Sequence, residues 1–543
     1  MWVQKNIEGI ALASGVLTHI FYFRKGEHHL YPFRYLYTYA GLCLTGVAPL
    51  HYDVEASVID ATRQSVSLVC IHLLGLYTSL LVYRLFLHPL RRFPGPFGAR
   101  ASGFWMPMKI RHQPPYQILE DLHRKYGDFV RIGPSDISIT NPKAITAIHG
   151  LKSRCIKGPL YDFNFPVLSM QTMRSKEDHH QRRRIWNPGF TESAVRGYEK
   201  RVRPYRQQFM SHIASARDDG KPLDVSEVCQ WYSYDVISDL ALGKSYGGLQ
   251  KGVRVPIAQS FIDANAGLRN MYPPWFYRLI VTSPMGSPGW KEFNDRIWQD
   301  LVARMKSEPD VPDIYSYFLA PLKGQPPTPD DIPRLLGDAL LLIGAGGDTT
   351  GMTLAVAIYE LARRPEEVKK LREELACCPR EVGGEYAHEN IAGLRHLNGF
   401  INEVQRMHAG VPSQLPRKTP PQGLEIGETY VPGNMNILSP HREIGRSEAA
   451  FEKPQEFIPE RWYLYPNLVK DKSAHAPFST GSYGCIGKPL ALMNLRTTLA
   501  QLVMTYELGL APGDDGFALE RNMDELFSIY VHNLHVVFRE QEL

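Results

Sequence analysis

Asp331-Ile-Pro-Arg-Leu opens a run that continues through Leu340-Leu-Leu-Ile-Gly-Ala-Gly-Gly-Asp-Thr-Thr-Gly-Met352 and stops near Arg364-Pro365. Read as one helix, it would extend about 45 Å, the width of a domain. It is apolar on both sides, so it must be buried. Inside it, Gly344, Ala345, Gly346 and Gly347 remove side chains, and Asp348, Thr349 and Thr350 then add polar ones. Glycine costs about 1 kcal/mol per helical position, so four small residues in a row indicate that something approaches closely. A polar cluster in a buried helix also demands partners. Two readings fit: a helix–helix crossing at small residues, or a ligand lying against the gap with an acid and a hydroxyl beside it.

The second constraint is Ala476-Pro-Phe-Ser-Thr-Gly-Ser-Tyr-Gly-Cys-Ile-Gly-Lys-Pro-Leu490. Cys485 stands in a loop with Gly481, Gly484 and Gly487, whose glycines allow positive φ and close approach to a flat ligand. A helical pattern follows at once, with Pro489 suited to its first turn. A thiol at a helix N-terminus is favoured as thiolate by the unpaired N–H groups. Such a thiolate is a good soft ligand for haem iron. A buried free cysteine in a glycine-rich turn is the plain alternative.

These two stretches resemble the oxygen-side helix and cysteine loop of the cytochrome P450 family of haem-thiolate monooxygenases. The family loop reads Phe-x-x-Gly-x-Arg-x-Cys-x-Gly; Phe478, Gly481, Cys485 and Gly487 match, while Tyr483 stands where the family usually has Arg. The resemblance makes Cys485 the iron ligand and leaves Tyr483 to offer a haem propionate a hydrogen bond without charge. The helix motif Ala/Gly-Gly-x-Asp/Glu-Thr matches Ala345, Gly346, Asp348 and Thr349. It implies a gap that admits dioxygen and an acid–hydroxyl pair that relays protons.

Further motifs follow in family order. In His179-His-Gln-Arg-Arg-Arg-Ile-Trp-Asn-Pro-Gly-Phe190, His179 and Arg183 lie one helical turn apart and can point at one anionic group; a solvated basic face is the alternative. By resemblance Arg183 is a propionate partner, and His179 replaces a tryptophan. Glu403-Val-Gln-Arg406 places Glu403 and Arg406 on one helix face. With Arg461 of Phe457-Ile-Pro-Glu-Arg-Trp462, the resemblance makes them a buried ionic triad. Arg417, in Leu415-Pro-Arg417, falls where a strand would carry another propionate partner. Met271-Tyr-Pro-Pro-Trp-Phe-Tyr-Arg-Leu-Ile280 is aromatic and broken by prolines, and by resemblance forms the substrate-entry lid. Pro115–Lys125 reads as a helix, and Phe129–Ile132 and Asp136–Thr140 as two strands.

The first ninety residues are apolar. Ser65–Tyr83 carries no charge over about nineteen residues, long enough to cross a bilayer; Ile7–Phe23 and Tyr35–Leu50 are weaker segments. Arg24, Lys25 and Arg34 fill the first intervening loop, whereas Asp53, Glu55 and Asp60 dominate the second. Arg84, Arg91 and Arg92 follow the third segment. Positive-inside logic puts the first loop and everything beyond Tyr83 in the cytosol. One to three spans satisfy this, with no cleaved leader. Arg91-Arg-Phe-Pro-Gly-Pro-Phe97 then reads as a stiff connector.

The 543 residues suit one large catalytic body, and a net charge of +5 without basic runs excludes a dedicated nucleic-acid binder. Seven scattered cysteines are not a disulfide scaffold. The expectation is a mainly α fold with a minor β-domain, a cytochrome P450 fold at 91–543 behind a membrane region at 1–90. By resemblance it holds haem b and hydroxylates or epoxidises a lipophilic small molecule of secondary metabolism, with no nucleic-acid partner. No Gly-x-Gly-x-x-Gly stretch appears, so electrons are expected from a separate NADPH-cytochrome P450 reductase, with cytochrome b5 a second candidate donor, at the endoplasmic reticulum. The rivals are a haem-thiolate isomerase or dehydratase, and a non-catalytic haem-binding membrane protein.

Overall fold

The computed structural model describes residues 2–52, 56–283, 286–381 and 383–541; Asp53 and Glu55 of the second loop lie outside them. All three N-terminal apolar segments are helical: α1 (Trp2–Thr18), α2 (Pro32–Tyr52) and α3 (Val58–Val82). The Ser57 hydroxyl caps α3 by accepting the Asp60 N–H at 3.1 Å. Helical backbone runs on through Leu87, so the helix extends beyond the uncharged run 65–83 at both ends. Both α1 and α2 pack on α3. At the α1–α3 crossing a Cβ on Gly75 would fall 2.2 Å from the Leu12 carbonyl oxygen, so a side chain there would force the helices apart. Val58–Leu87 is long and apolar enough to cross a membrane, and it leaves Ile59, Leu74 and Phe86 more than 60% exposed. The proline connector is held to the body, its Pro94 carbonyl accepting the Arg131 N–H at 2.7 Å.

The first long helix of the body is α4 (Pro115–Tyr126), which ends where Gly127 takes φ +86°. The strands β1 (Phe129–Arg131), β2 (Asp136–Ile139) and β3 (Ile156–Lys157) follow. Next come α5 (Lys176–Trp186), α6 (Val225–Leu242), α7 (Pro274–Thr282) and α8 (Ile332–Ala362). Then α9 (Arg395–Met407), β4 (Arg417–Lys418), β5 (Asn436–Leu438) and α10 (Lys488–Val503) lead to the hairpin β6 (Met523–Glu525) and β7 (Ile529–Val531). One sheet has the order β1-β2-β5-β4-β3. In it β2 and β5 run parallel, with Ile137 opposite Ile437, and Lys157 sits opposite Arg417 across the β3–β4 pair.

The expected thirty-residue helix is α8, and it is the axis of the body. Ile343, Ala355, Ile358 and Tyr359 have no exposed surface, and large apolar side chains buried this way contribute about 1.5–3 kcal/mol each. Its main neighbour is α6. The small residues let two neighbours approach: a Cβ on Gly346 would meet Ile237 of α6 at 2.7 Å, and one on Gly344 would meet the ring of Phe261, on the helix Pro256–Arg269, at 2.3 Å. The crossing reading therefore holds for these glycines, while Ala345 and Thr349, with Gly346 itself, also line a cavity.

Candidate functional site

The cavity lies between α8 and α6 on one side and the cysteine loop with the start of α10 on the other. Val236, Ile237, Leu341 and Leu342 give it an apolar wall; Phe478, Cys485, Ile486 and Leu490 close the opposite side. Lys157, His179, Arg183, Arg417 and Tyr483 form a polar flank.

Backbone hydrogen bonds fold the loop around Cys485. Its own N–H donates to the Phe478 carbonyl at 2.8 Å, and its sulfur accepts backbone N–H groups from Gly487 and Lys488. Only Gly481 uses glycine's special backbone: φ is +68°, and an added Cβ would lie 2.2 Å from the His149 carbonyl oxygen. Gly484 and Gly487 have φ −59° and −76°, ordinary values, which corrects the expectation for all three. Cys485 has accessible surface, and that surface opens into the cavity, while protein surrounds the residue on its other sides. Burial therefore pushes the thiol above its usual range; the two N–H groups and Arg183 lower it by less. Burial thus opposes the expected thiolate, while the N–H groups of the helix start favour it. A coordinated metal ion deprotonates such a thiol outright.

The flank is built of basic side chains. Arg183 donates to the Gly484 carbonyl at 2.6 Å, tying α5 to the cysteine loop. Arg417, 2% exposed, donates to the Tyr161 hydroxyl at 3.1 Å and leaves its Nε unpartnered. Lys157, 4% exposed, donates to the Met170 carbonyl at 2.7 Å, and burial, then Arg417 and Arg183, hold its pKa well below the usual range. Among the described residues no carboxylate pairs with any of the three. The Tyr483 ring lies between them, 4.7 Å from Lys157 Nζ and 5.1 Å from the Arg417 guanidinium. The His179 ring meets Tyr483 edge-on at 4.6 Å, and burial followed by Lys157 pushes its pKa down to about 3, so it is neutral. Buried cations without anions are costly unless a ligand supplies the charge. Two carboxylates carried on a flat apolar ligand above Cys485 are what this donor set fits, and haem b is such a ligand. Lys157 has no counterpart among the sequence expectations, because a two-residue strand carries no periodic signal.

On α8 the Thr349 hydroxyl faces the cavity and donates to the Ala345 carbonyl at 2.8 Å. Asp348 is 3% exposed and does not line the cavity; its carboxylate accepts from the Ser528 hydroxyl at 2.5 Å. Burial pushes the Asp348 pKa up to about 6, with Ser528 opposing. Ser528 belongs to the turn of the β6–β7 hairpin and lies 180 residues along the chain, beyond any local motif.

Glu403, Arg406 and Arg461 meet as expected, each side chain without exposed surface. Glu403 receives Arg406 at 2.7 and 2.9 Å, Arg461 Nε at 2.9 Å, the Ile458 N–H at 2.9 Å and the Trp462 indole N–H at 3.0 Å. Arg406 also donates to the carbonyls of Gly445, Pro454 and Glu456, and Arg461 to those of Glu452 and Lys453. The triad thus organises the segment that leads to the cysteine loop.

A family model for cytochrome P450 matches residues 94–528. A cytochrome P450 monooxygenase of Aspergillus versicolor, notG', is 45% identical over 524 residues, covering 96% of each chain. Tryprostatin B 6-hydroxylase of Aspergillus fumigatus is 44% identical over 529 residues, 96% of this chain and 94% of that protein. A cytochrome P450 monooxygenase of Fusarium pseudograminearum, FCK2, is 36% identical over 97% of this chain. With the cysteine loop and the α8 residues Ala345, Gly346 and Thr349 lining one cavity, and the buried triad holding the segment that leads to the loop, the chain belongs to the cytochrome P450 family and is an oxidoreductase of the monooxygenase class.

Proposed function

We propose that this chain is a membrane-bound monooxygenase that hydroxylates or epoxidises a lipophilic small molecule of fungal secondary metabolism. The observation that carries the reading is the pairing of an open Cys485 sulfur with three basic side chains, Lys157 and Arg417 buried and Arg183 half-buried, that no carboxylate pairs with among the described residues, beside an apolar cavity. Similarity to tryprostatin B 6-hydroxylases supports a substrate of that kind. Electrons come from NADPH through a separate reductase, with cytochrome b5 as a second donor.

Haem, held by Cys485, supplies the oxygen activation and insertion chemistry when bound. The chain's own residues do the rest. Lys157, Arg183 and Arg417 hold the two carboxylates, and Tyr483 spaces two of those cations. Val236, Ile237, Leu341 and Leu342 exclude water and hold the substrate by burial. Thr349 presents a proton at Oγ1 on the cavity side of α8. Asp348, titrating near 6, exchanges protons on the other side of the same turn through Ser528.

Thr349→Ala is expected to leave haem content and substrate binding near normal, since only a hydroxyl and a methyl are lost. Product per NADPH should fall several-fold while NADPH use continues and free hydrogen peroxide accumulates. In the wild type this yield should decline as pH rises through about 6, where Asp348 loses its proton, and Asp348→Asn should flatten that dependence. Product, peroxide and NADPH followed together in a reductase-reconstituted system check this. A wild-type yield in Thr349→Ala rules out the relay, and product formed without oxygen or NADPH favours the isomerase.

The proposed location is the endoplasmic reticulum membrane with the body in the cytosol. The basic loop Arg24–Arg34 supports it by lying against that body, on the side that positive-inside logic gives to both. Protease added to intact microsomes should digest the chain beyond Phe93; protection until detergent is added would reverse the orientation.

A further inference from the structure

The loop between α1 and α2 is not a free turn below the N-terminal helices. The Glu27 carboxylate receives both terminal nitrogens of Arg174, at 2.6 and 2.8 Å, and Lys418 Nζ at 2.6 Å. His29, 7% exposed, contacts Asp162 at 2.7 Å, and Asp162 in turn takes Arg174 at 2.5 Å. Burial alone would raise Glu27, but hydrogen bonds from Arg174 and Lys418 hold it down at about 2, so it stays ionised in any working buffer. Glu27, His29 and Asp162 are close enough to share a cation. Arg174 and Lys418 already supply that charge.

The contact extends to the lid helix. Arg278 of α7, 5% exposed, directs its donors to three carbonyls: Phe163 at 3.1 Å, Phe165 at 2.6 Å and Leu30 at 3.3 Å. Tyr31 meets the Phe165 ring edge-on at 6.5 Å, and α2 packs against α7. Phe163 packs on Tyr277, the residue before Arg278. One guanidinium therefore joins the lid, the 163–165 turn and the N-terminal loop.

Each residue gripped by the loop also leads to the cavity. Arg174 Nε donates to the Lys157 carbonyl at 3.0 Å, and the Arg174 carbonyl accepts the Tyr483 hydroxyl at 3.5 Å. Lys418 follows Arg417 on β4, which pairs with the strand carrying Lys157. Glu27 is thus one residue removed from the flank that faces the ligand carboxylates.

We propose that the α1–α2 loop is a positioning strap of the active site: through Glu27, His29 and Leu30 it ties α7 and the β3–β4 flank to the N-terminal helices, and so limits lid motion and the passage of bulky ligands. Glu27, His29 and Arg278 are positioning residues, since none lines the cavity. The kinetic arm of the test rests on the reading that the cavity holds haem; the cross-linking arm does not.

The test uses full-length protein in native membranes. A zero-length carbodiimide should join the Glu27 carboxyl to Lys418 Nζ as an amide with loss of water, because both side chains are partly accessible and in contact. Peptide mass spectrometry should find that link in the wild type and not in Glu27→Gln. Two azoles then probe entry into the haem-loaded enzyme by their spectral shifts: clotrimazole, which is bulky, and imidazole, which is small. Glu27→Gln should speed clotrimazole association and dissociation by roughly fivefold, the upper scale of a half-exposed ion pair. Imidazole affinity should not change. Glu27→Gln combined with Lys418→Met should be no faster than Glu27→Gln alone. Absence of the wild-type cross-link overturns the strap. Unchanged clotrimazole rates, or equal losses for both azoles, overturn its role at the lid. If no azole shifts any spectrum, the haem reading has failed, and the cross-link still reports on docking.

Discussion

Cys485→Ala is expected to abolish turnover and to remove the red-shifted carbon monoxide band of the reduced protein. Among the described residues that line the cavity Cys485 is the only thiol, and the Met170 thioether cannot become anionic; Phe478, Ile486 and Leu490 around the sulfur are apolar, and the nitrogens of Lys157, Arg183 and Arg417 lie on the flank. A methyl in its place offers no electron pair. Cys485→Ser would offer a hard, neutral hydroxyl, a poor match for iron that needs a charge-donating ligand. The loop itself should survive both changes, because its shape rests on the Cys485 N–H to Phe478 bond and on Gly481, which involve no sulfur. Circular dichroism and thermal unfolding of the haem-free chains should therefore match wild type. Full activity in Cys485→Ala would remove the basis of the site, and unfolding of the haem-free variant would show that the sulfur is structural.

The contrast between Cys485 and Lys157 shows what was legible in the sequence. The glycine-rich loop, the long apolar helix and Glu403-x-x-Arg406 are local patterns, and each occupies the element its periodicity suggests. Pro115–Lys125 and the two following strands are equally local and fall within a residue or two of the expected limits. Lys157, Ser528 and the Glu27–Arg174 contact depend on pairings across 13 to 180 residues, which no single stretch encodes. The glycines of α8 carried two meanings at once. Their absent side chains admit α6 and Phe261, while Ala345 and Thr349, together with Gly346, form the cavity face. Sequence showed that something approaches that helix, and only the packing separates the neighbouring helix from the ligand.

Glu403→Gln should destabilise the body by about 3–5 kcal/mol, the cost of leaving buried charge uncompensated. One carboxylate here serves two guanidiniums, and all three side chains are without exposed surface. Burial already lowers the Arg461 pKa, with Glu403 opposing, so the arrangement has little charge balance to spare. Gln keeps the shape but loses the charge. Its NH2 group must also face donors, since one Glu403 oxygen accepts Arg406 Nε and the Trp462 indole while the other accepts Arg406, Arg461 and the Ile458 N–H. Replacing a buried ion cluster with apolar side chains is often neutral elsewhere. That escape is not expected here, because Arg406 and Arg461 also supply donors to the carbonyls of Gly445, Pro454, Glu456, Glu452 and Lys453. Changing Glu403, Arg406 and Arg461 together to Leu, Met and Met should therefore be no more stable than Glu403→Gln. Since this segment delivers the chain to Cys485, both variants should lose haem at lower denaturant than wild type, with haem release and backbone unfolding occurring together. Chemical unfolding followed by haem absorbance and circular dichroism measures both. A Glu403→Gln midpoint equal to wild type, or a triple variant that regains wild-type stability, would mean that the carboxylate is not what holds the segment in place.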